Sequence, residues 1–205
     1  MHDPHAITDE AALEALYPPK NRNSLLKVRR DLDAPSIAFI ERSPFLIMST
    51  RASDGRAHGT PRGDAPGFCA VLSSTELALP DRKGNNRLDG LRDILRDPQV
   101  ALLFLIPGVG ETLRVHGRAT ITTDPALRAR FVERGAEPAT VLRIAVEEVF
   151  MQCPKALVRS RIWAGMTRPE GVPTAGQLIA SAARGEVDAA AYDREAPART
   201  EANLY

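Results

Sequence analysis

The chain has 205 residues, enough for one large domain or two small ones with a true core. Hydrophobic residues make up 43% and charged residues 26%, which excludes a disordered or fibrous chain. Lys plus Arg number 27 against 26 Asp plus Glu, a net charge of +1, which argues against a dedicated nucleic-acid binder.

Taken in chain order, the opening reads as a helix capped by Thr8, with Asp9 and Glu10 in its first turn and Pro18-Pro19 as its stop. Residues 24–32 read as a second helix, and Pro35 starts a third that runs to Ser43-Pro44. From Phe45 the pattern changes to strands. Residues 45–50 (FLIMST) and 56–62 form a hairpin across Ser53-Asp54-Gly55, and 68–73 and 76–79 form another. Leu88, Leu91 and Leu95 mark an amphipathic helix that ends before Asp97-Pro98. Residues 100–106 (VALLFLI) suit a strand buried on both faces. Residues 112–122 alternate cleanly, with Leu113, Val115, Gly117, Ala119 and Ile121 on one face. A helix from Pro125 to Arg134 follows, then a strand at 141–151 whose phase breaks at Val149, which predicts a bulge. Residues 155–163 and 175–183 read as helices, the latter with Thr174 and Gln177 as a capping box. The last twenty residues read as peripheral. About six short strands with interposed helices suggest a small decorated barrel.

Three clusters could carry chemistry. In 80–89 (PDRKGNNRLD), Arg82, Lys83 and Arg87 gather where a strand gives way to a helix, an arrangement that favours a phosphate and equally suits a solvated turn. In 58–64 (HGTPRGD), glycine and proline allow a flat ligand close to the backbone beside one cation, or simply mark a hairpin edge. In 110–117 (GETLRVHG), Arg114 and His116 share the polar face of a strand. Two cysteines cannot make a disulfide framework, and Cys153 reads as a small buried hydrophobe. No metal-ligand spacing, nucleophile elbow or dinucleotide loop is present in the sequence. With no apolar run of about 18 residues to span a bilayer and a polar start, the expectation is a soluble cytoplasmic protein without membrane or nucleic-acid partners.

The succession SPFLIMST, GTPRGDAPGF, LPDRKGNNRLDGLRDIL, DPQVALLFLIPGVGETLRVHGRA and QCPKALVRSRIW resembles the pyridoxamine 5′-phosphate oxidase-related family of flavin-binding split barrels. The resemblance implies a mainly β fold with flanking helices, a six-stranded antiparallel FMN-binding split barrel. It implies a helical segment at 1–42, the barrel at 43–165 and a helical tail at 166–205. It implies FMN in a cleft shared by a homodimer, with the phosphate held by Arg82, Lys83, Asn86 and Arg87, and the ring beside Thr60, Pro61, Arg62, Gly63 and Asp64. The partner subunit would add Glu111, Thr112, Arg114, Lys155, Arg159 and Ser160. The implied activity is FMN-dependent redox chemistry on a small molecule; no residue is assigned as general acid, and where a proton is needed the type of group alone points to His116 or water. Alternatives are a flavin store, sensor or electron carrier without turnover, and a deazaflavin- or haem-binding relative. The tail lacks the tryptophan-, arginine- and proline-rich end of the oxidases that act on vitamin B6, and only four histidines occur, which disfavours both that activity and haem degradation.

Overall fold

The computed structural model describes residues 3–19, 22, 26–165, 167–184 and 186–205. Helix α1 (Glu10–Glu14) is capped by Asp9, not Thr8; the Asp9 carboxylate accepts from Ala12 N at 2.8 Å. Of the helix expected at 24–32, residues 24 and 25 lie outside the described residues, and from Arg29 the chain is extended. Arg29 exchanges backbone hydrogen bonds with Val149, and Leu32 N donates to Ser74 O at 2.7 Å. Burying Leu32, which is 3% exposed, outweighs a weak local helix preference. Helix α2 (Ala34–Arg42) starts as expected, with Asp33 capping Ser36 N and Pro35 in the first turn.

Among the described residues seven strands form one antiparallel sheet, one more than the six expected. They are β1 (Phe45–Arg51), β2 (Ala57–Gly63), β3 (Ala70–Ser73), β4 (Glu76–Pro80), β5 (Gln99–Leu105), β6 (Thr112–Thr122) and β7 (Val141–Gln152). The short β3 pairs only with β4 at one edge, where the chain-order pattern places a strand at 68–73, so it is the implied barrel count of six that falls one short. The order is β2-β1-β5-β6-β7-β4-β3, so hydrogen bonding does not close the sheet. It nevertheless curls. Five strand spacings of about 4.8 Å would put β2 about 24 Å from β4 in a flat sheet, yet Arg62 of β2 and Asp81, just past β4, meet at 2.6 Å. The ladder is a barrel with a seam, and the seam lies between β2 and the end of β4.

Inside pack Leu46, Met48, Leu79, Leu102, Phe104, Val115 and Ile144, all at most 1% exposed. Strand β5 buries one face rather than two: Val100, Leu102 and Phe104 point inward, while Ala101, Leu103 and Leu105 stay half-buried on the other side. Helix α3 (Asp89–Arg96) faces the sheet with Gly90, Asp93 and Ile94, and leaves Leu95 75% exposed, contrary to the leucine pattern. The helix seats its Gly90 side against β1, where a Cβ would meet Met48 and Thr50 at 3.6–3.9 Å, ordinary contact distances. The expected bulge is present: Gly117 pairs with Val146 and His116 with Glu148, which leaves Glu147 as the extra residue.

Helix α4 (Pro125–Ala129) ends one turn earlier than expected, because Glu133 and Ala136 close a turn with Gly135 at φ 78. Helix α5 (Lys155–Ser160) stops at left-handed Arg161, short of Trp163. Helix α6 (Ala175–Ala182) has the expected capping box between Thr174 and Gln177. It packs on α7 (Ala189–Ala202) through Gly176 N and Asp193 at 2.8 Å. The tail is not peripheral, since Tyr205 reaches the barrel and donates to Asp64 at 2.8 Å. Among the described residues no helix is long and apolar enough to cross a membrane.

Candidate functional site

Strand alternation sends His58, Thr60 and Arg62 of β2 toward the inside of the curl, and Gly59, Pro61 and Gly63 outward. Arg62 Nη1 donates to Asp81 at 2.6 Å, with the two side chains 19% and 17% exposed. Among the described residues its Nε has no hydrogen-bond partner although it is buried, and the same holds for Thr140 Oγ1. Buried polar atoms of this kind are normally satisfied. Arg62 and Thr140 both line a cleft of about 700 Å³ that follows the seam. A cleft of that size is within the range of small-molecule and cofactor sites.

The 81–88 segment forms one wall of this cleft, with Lys83, Asn86 and Arg87 along it. Asn86 and Leu88 take left-handed φ values of 58, a turn that swings the chain directly into α3. Leu88 stands at the N-cap and offers no side-chain cap, so the first-turn N–H groups of α3 open onto the cleft beside Gly90 and Leu91. Positive helix-end dipole and three nearby cations thus face one space. Arg87 is 73% exposed and pairs with Asp89 at 2.8 Å. Arg82 is held more firmly: Nε donates to Asp64 at 2.7 Å and Nη1 to the Phe131 carbonyl.

The expected site residues therefore fall into three groups. Thr60, Arg62, Arg82, Lys83, Asn86 and Arg87 line the seam cleft. Pro61, Gly63 and Asp64 line an adjoining cleft of about 600 Å³, which shares Arg62, Arg82, Lys83 and Tyr205 with the first. Glu111, Thr112, Arg114, Lys155, Arg159 and Ser160 line neither. Thr112 is buried at the start of β6, and Arg114 lies on the outer face with its guanidinium 5.4 Å from the Phe150 ring. His116 also faces away from the seam, 3.6 Å from Glu148 beside a separate groove. Cys153 is exposed, against expectation, because it follows the last residue of β7 and precedes α5. Cys69 is the buried thiol, and burial pushes its pKa up to about 12.

Several contributors escaped the sequence reading. Asp81 sat inside the basic cluster without a role, and only the curl of the sheet brings it to Arg62. Thr140 and the 136–139 loop come from a distant part of the chain and carry no local signal. Asp93 is 2% exposed and accepts from Thr50 Oγ1 at 2.7 Å and from His58 Nδ1 at 2.6 Å. An acid between Leu91 and Ile94 on an amphipathic helix was a usable signal for it.

A family model described as pyridoxamine 5′-phosphate oxidase matches residues 36–153, more than half of the chain. No curated protein matches. Among solved structures, HupZ of Group A Streptococcus is 15% identical, covers 60% of this chain and 94% of its own, and superposes with a TM-score of 0.50. A Clostridium acetobutylicum protein related to general stress protein 26 of B. subtilis, of the pyridoxinephosphate oxidase family, is 14% identical over 58% of this chain and 86% of its own, with a TM-score of 0.46. The conserved hypothetical protein Rv2991 of Mycobacterium tuberculosis is 16% identical over 70% of this chain and 92% of its own, with a TM-score of 0.44. At these identities the likeness concerns the fold. The match of the family model over β1 to β7 is the stronger finding, and by it the chain belongs to the pyridoxamine 5′-phosphate oxidase family.

Proposed function

We propose that the protein binds FMN in the seam cleft as a homodimer and serves as a flavin-dependent oxidoreductase for a small molecule. Members of this family generally bind flavin and are typically dimeric. The observation that carries the proposal is the convergence in one cleft of Arg62, Lys83 and Arg87 with the uncapped N-terminus of α3. Such a cleft matches a ligand with a dianionic end and a polar, partly flat body. When bound, FMN supplies reversible hydride and electron transfer.

The chain's own residues bind and orient. Arg82, Lys83, Asn86 and Arg87, with the first-turn N–H groups of α3, hold the phosphate. Arg62, fixed by Asp81, and Thr140 offer donors to the rest of the ligand. Thr60 and the exposed glycine backbone of β2 let a ring approach the strand. Residues 43–165 form the flavin-binding unit, with the helical segments 1–42 and 166–205 before and after it.

The partner subunit contributes Glu111, Thr112, Arg114, Lys155, Arg159 and Ser160. In support, the outer face carries a cross-strand row of Pro61, Ile47, Leu103, Arg114 and Phe150. Ile47 in this row is 37% exposed, apolar surface of the kind a second copy covers. Free cysteines fit a reducing cytoplasm.

The test is an absorption spectrum of purified protein with the mass of any released ligand, followed by NADH and NADPH as reductants and an added acceptor. Bound FMN that turns over is the expected result. FMN that binds without turnover leaves a store, sensor or carrier, and a colourless protein that refuses added FMN ends the proposal. Arg82→Glu and Arg87→Glu should each weaken FMN binding about tenfold or more, because charge-assisted hydrogen bonds contribute about 1.5–3 kcal/mol.

A further inference from the structure

Tyr205 stands with Arg62, Arg82, Lys83 and Gly84 in the partition between the two clefts. Its hydroxyl donates to Asp64 Oδ1 at 2.8 Å, while Oδ2 of the same carboxylate accepts from Arg82 Nε at 2.7 Å. Its ring centroid lies 5.4 Å from the Arg82 guanidinium and 5.3 Å from that of Arg134. Arg134 pairs with Glu201 of α7 at 2.9 Å, which ties the segment bearing Tyr205 to the 131–136 turn. Tyr205 thus lies against one of the cations assigned to the phosphate.

We propose that Tyr205 is a positioning residue that fixes Arg82 for a phosphate and so makes the seam prefer a phosphorylated ligand over its phosphate-free form. This rests on the flavin reading given above.

The argument is one of donors and charge. A guanidinium has five N–H donors. Arg82 commits Nε to Asp64 and Nη1 to the Phe131 carbonyl, and among the described residues Nη2 has no hydrogen-bond partner. Two anchors define its plane, and the aromatic face fixes the third direction. A guanidinium already fixed loses less freedom when it takes an anion.

Tyr205 also adjusts the charge around Arg82. Its hydroxyl and the Ala65 N–H, at 2.8 Å, both donate to Asp64 Oδ1, so the carboxylate engages Arg82 through Oδ2 alone. The electron-rich ring lies against two arginines that otherwise repel each other. The bond to Asp64 first, with burial, raises the Tyr205 pKa above its ordinary 10.0, so the phenol stays a donor at neutral pH. A ligand without a phosphate makes no use of Arg82 and should be indifferent to all of this.

The experiment titrates FMN and riboflavin against the full chain, Tyr205→Phe and Tyr205→Ala, by flavin fluorescence, with thermal unfolding to confirm that each variant folds. The preference for FMN over riboflavin should fall about tenfold in Tyr205→Ala and about threefold in Tyr205→Phe, which keeps the ring, with riboflavin affinity unchanged. An unchanged preference in Tyr205→Ala, or equal weakening of both flavins, overturns the proposal and leaves the flavin reading standing. If the wild-type chain takes up no FMN, the flavin reading fails instead. The positioning of Arg82 is then judged on the unliganded chain by exchange of its Nε–H in NMR spectra. Slow exchange that becomes fast in Tyr205→Ala supports the positioning role, and identical exchange overturns it.

Discussion

Buried Asp93 pairs with half-buried His58, with Oδ2 and Nδ1 2.6 Å apart, and Thr50 donates to the same oxygen at 2.7 Å. The three residues join α3 to β1 and β2, so this cluster sets the angle at which α3 presents its open end to the seam. Burial disfavours the charged carboxylate. The bonds from Thr50 and His58, with the charges of His58 and Arg96, outweigh that and hold the Asp93 pKa below its ordinary 3.8.

Asp93→Asn should therefore destabilise the protein by about 1.5–3 kcal/mol at neutral pH, the range for hydrogen bonds to a charged group. A carboxylate with a depressed folded pKa adds stability that is complete above its unfolded value and disappears as pH falls through the folded one. The gap between wild type and Asp93→Asn in urea unfolding should accordingly close as the pH falls below 3.8. A gap that widens in acid contradicts the assignment.

Arg62 should not tolerate lysine. Lysine keeps the charge and can pair with Asp81, but with a single nitrogen it cannot hold Asp81 and also present a second, separately directed donor to the cleft. Arg62→Lys should weaken FMN binding about tenfold, and Arg62→Ala by more, because Asp81 is then left without its partner. Calorimetric titration with FMN measures both.

Ile47→Asp should convert the proposed dimer to monomer. It places a charge in the outer row next to Leu103 and Pro61, where a second copy would have to desolvate it. Light scattering reads the mass. A variant that stays dimeric moves the interface off this face.

Gly117→Ala should be among the more damaging small changes, at about 1–3 kcal/mol in urea unfolding. A Cβ at that position runs into the carbonyl oxygen of Ala145 on β7, next to the Glu147 bulge. The neighbouring Ala119 already carries a Cβ inside the same sheet and is 2% exposed, so lack of space is specific to the bulge.

What the sequence determined by itself is local. Alternation along 112–122 and 141–151, the apolar run at 100–106 and the hairpin turns named the strands, Thr174 and Gln177 named a cap, and the run from Arg82 to Arg87 named the basic wall of the cleft. Each of these is written within a few residues, where backbone periodicity, capping and charge act directly. The tertiary structure decided the rest. Curling of the sheet brought Arg62 to Asp81 and Thr140, the seating of α3 on its Gly90 side turned Asp93 inward and Leu95 outward, and the tail carried Tyr205 across to Arg82. Those encounters depend on how far the strands twist and which helix face packs best, energies summed over the whole core that no short stretch of chain records.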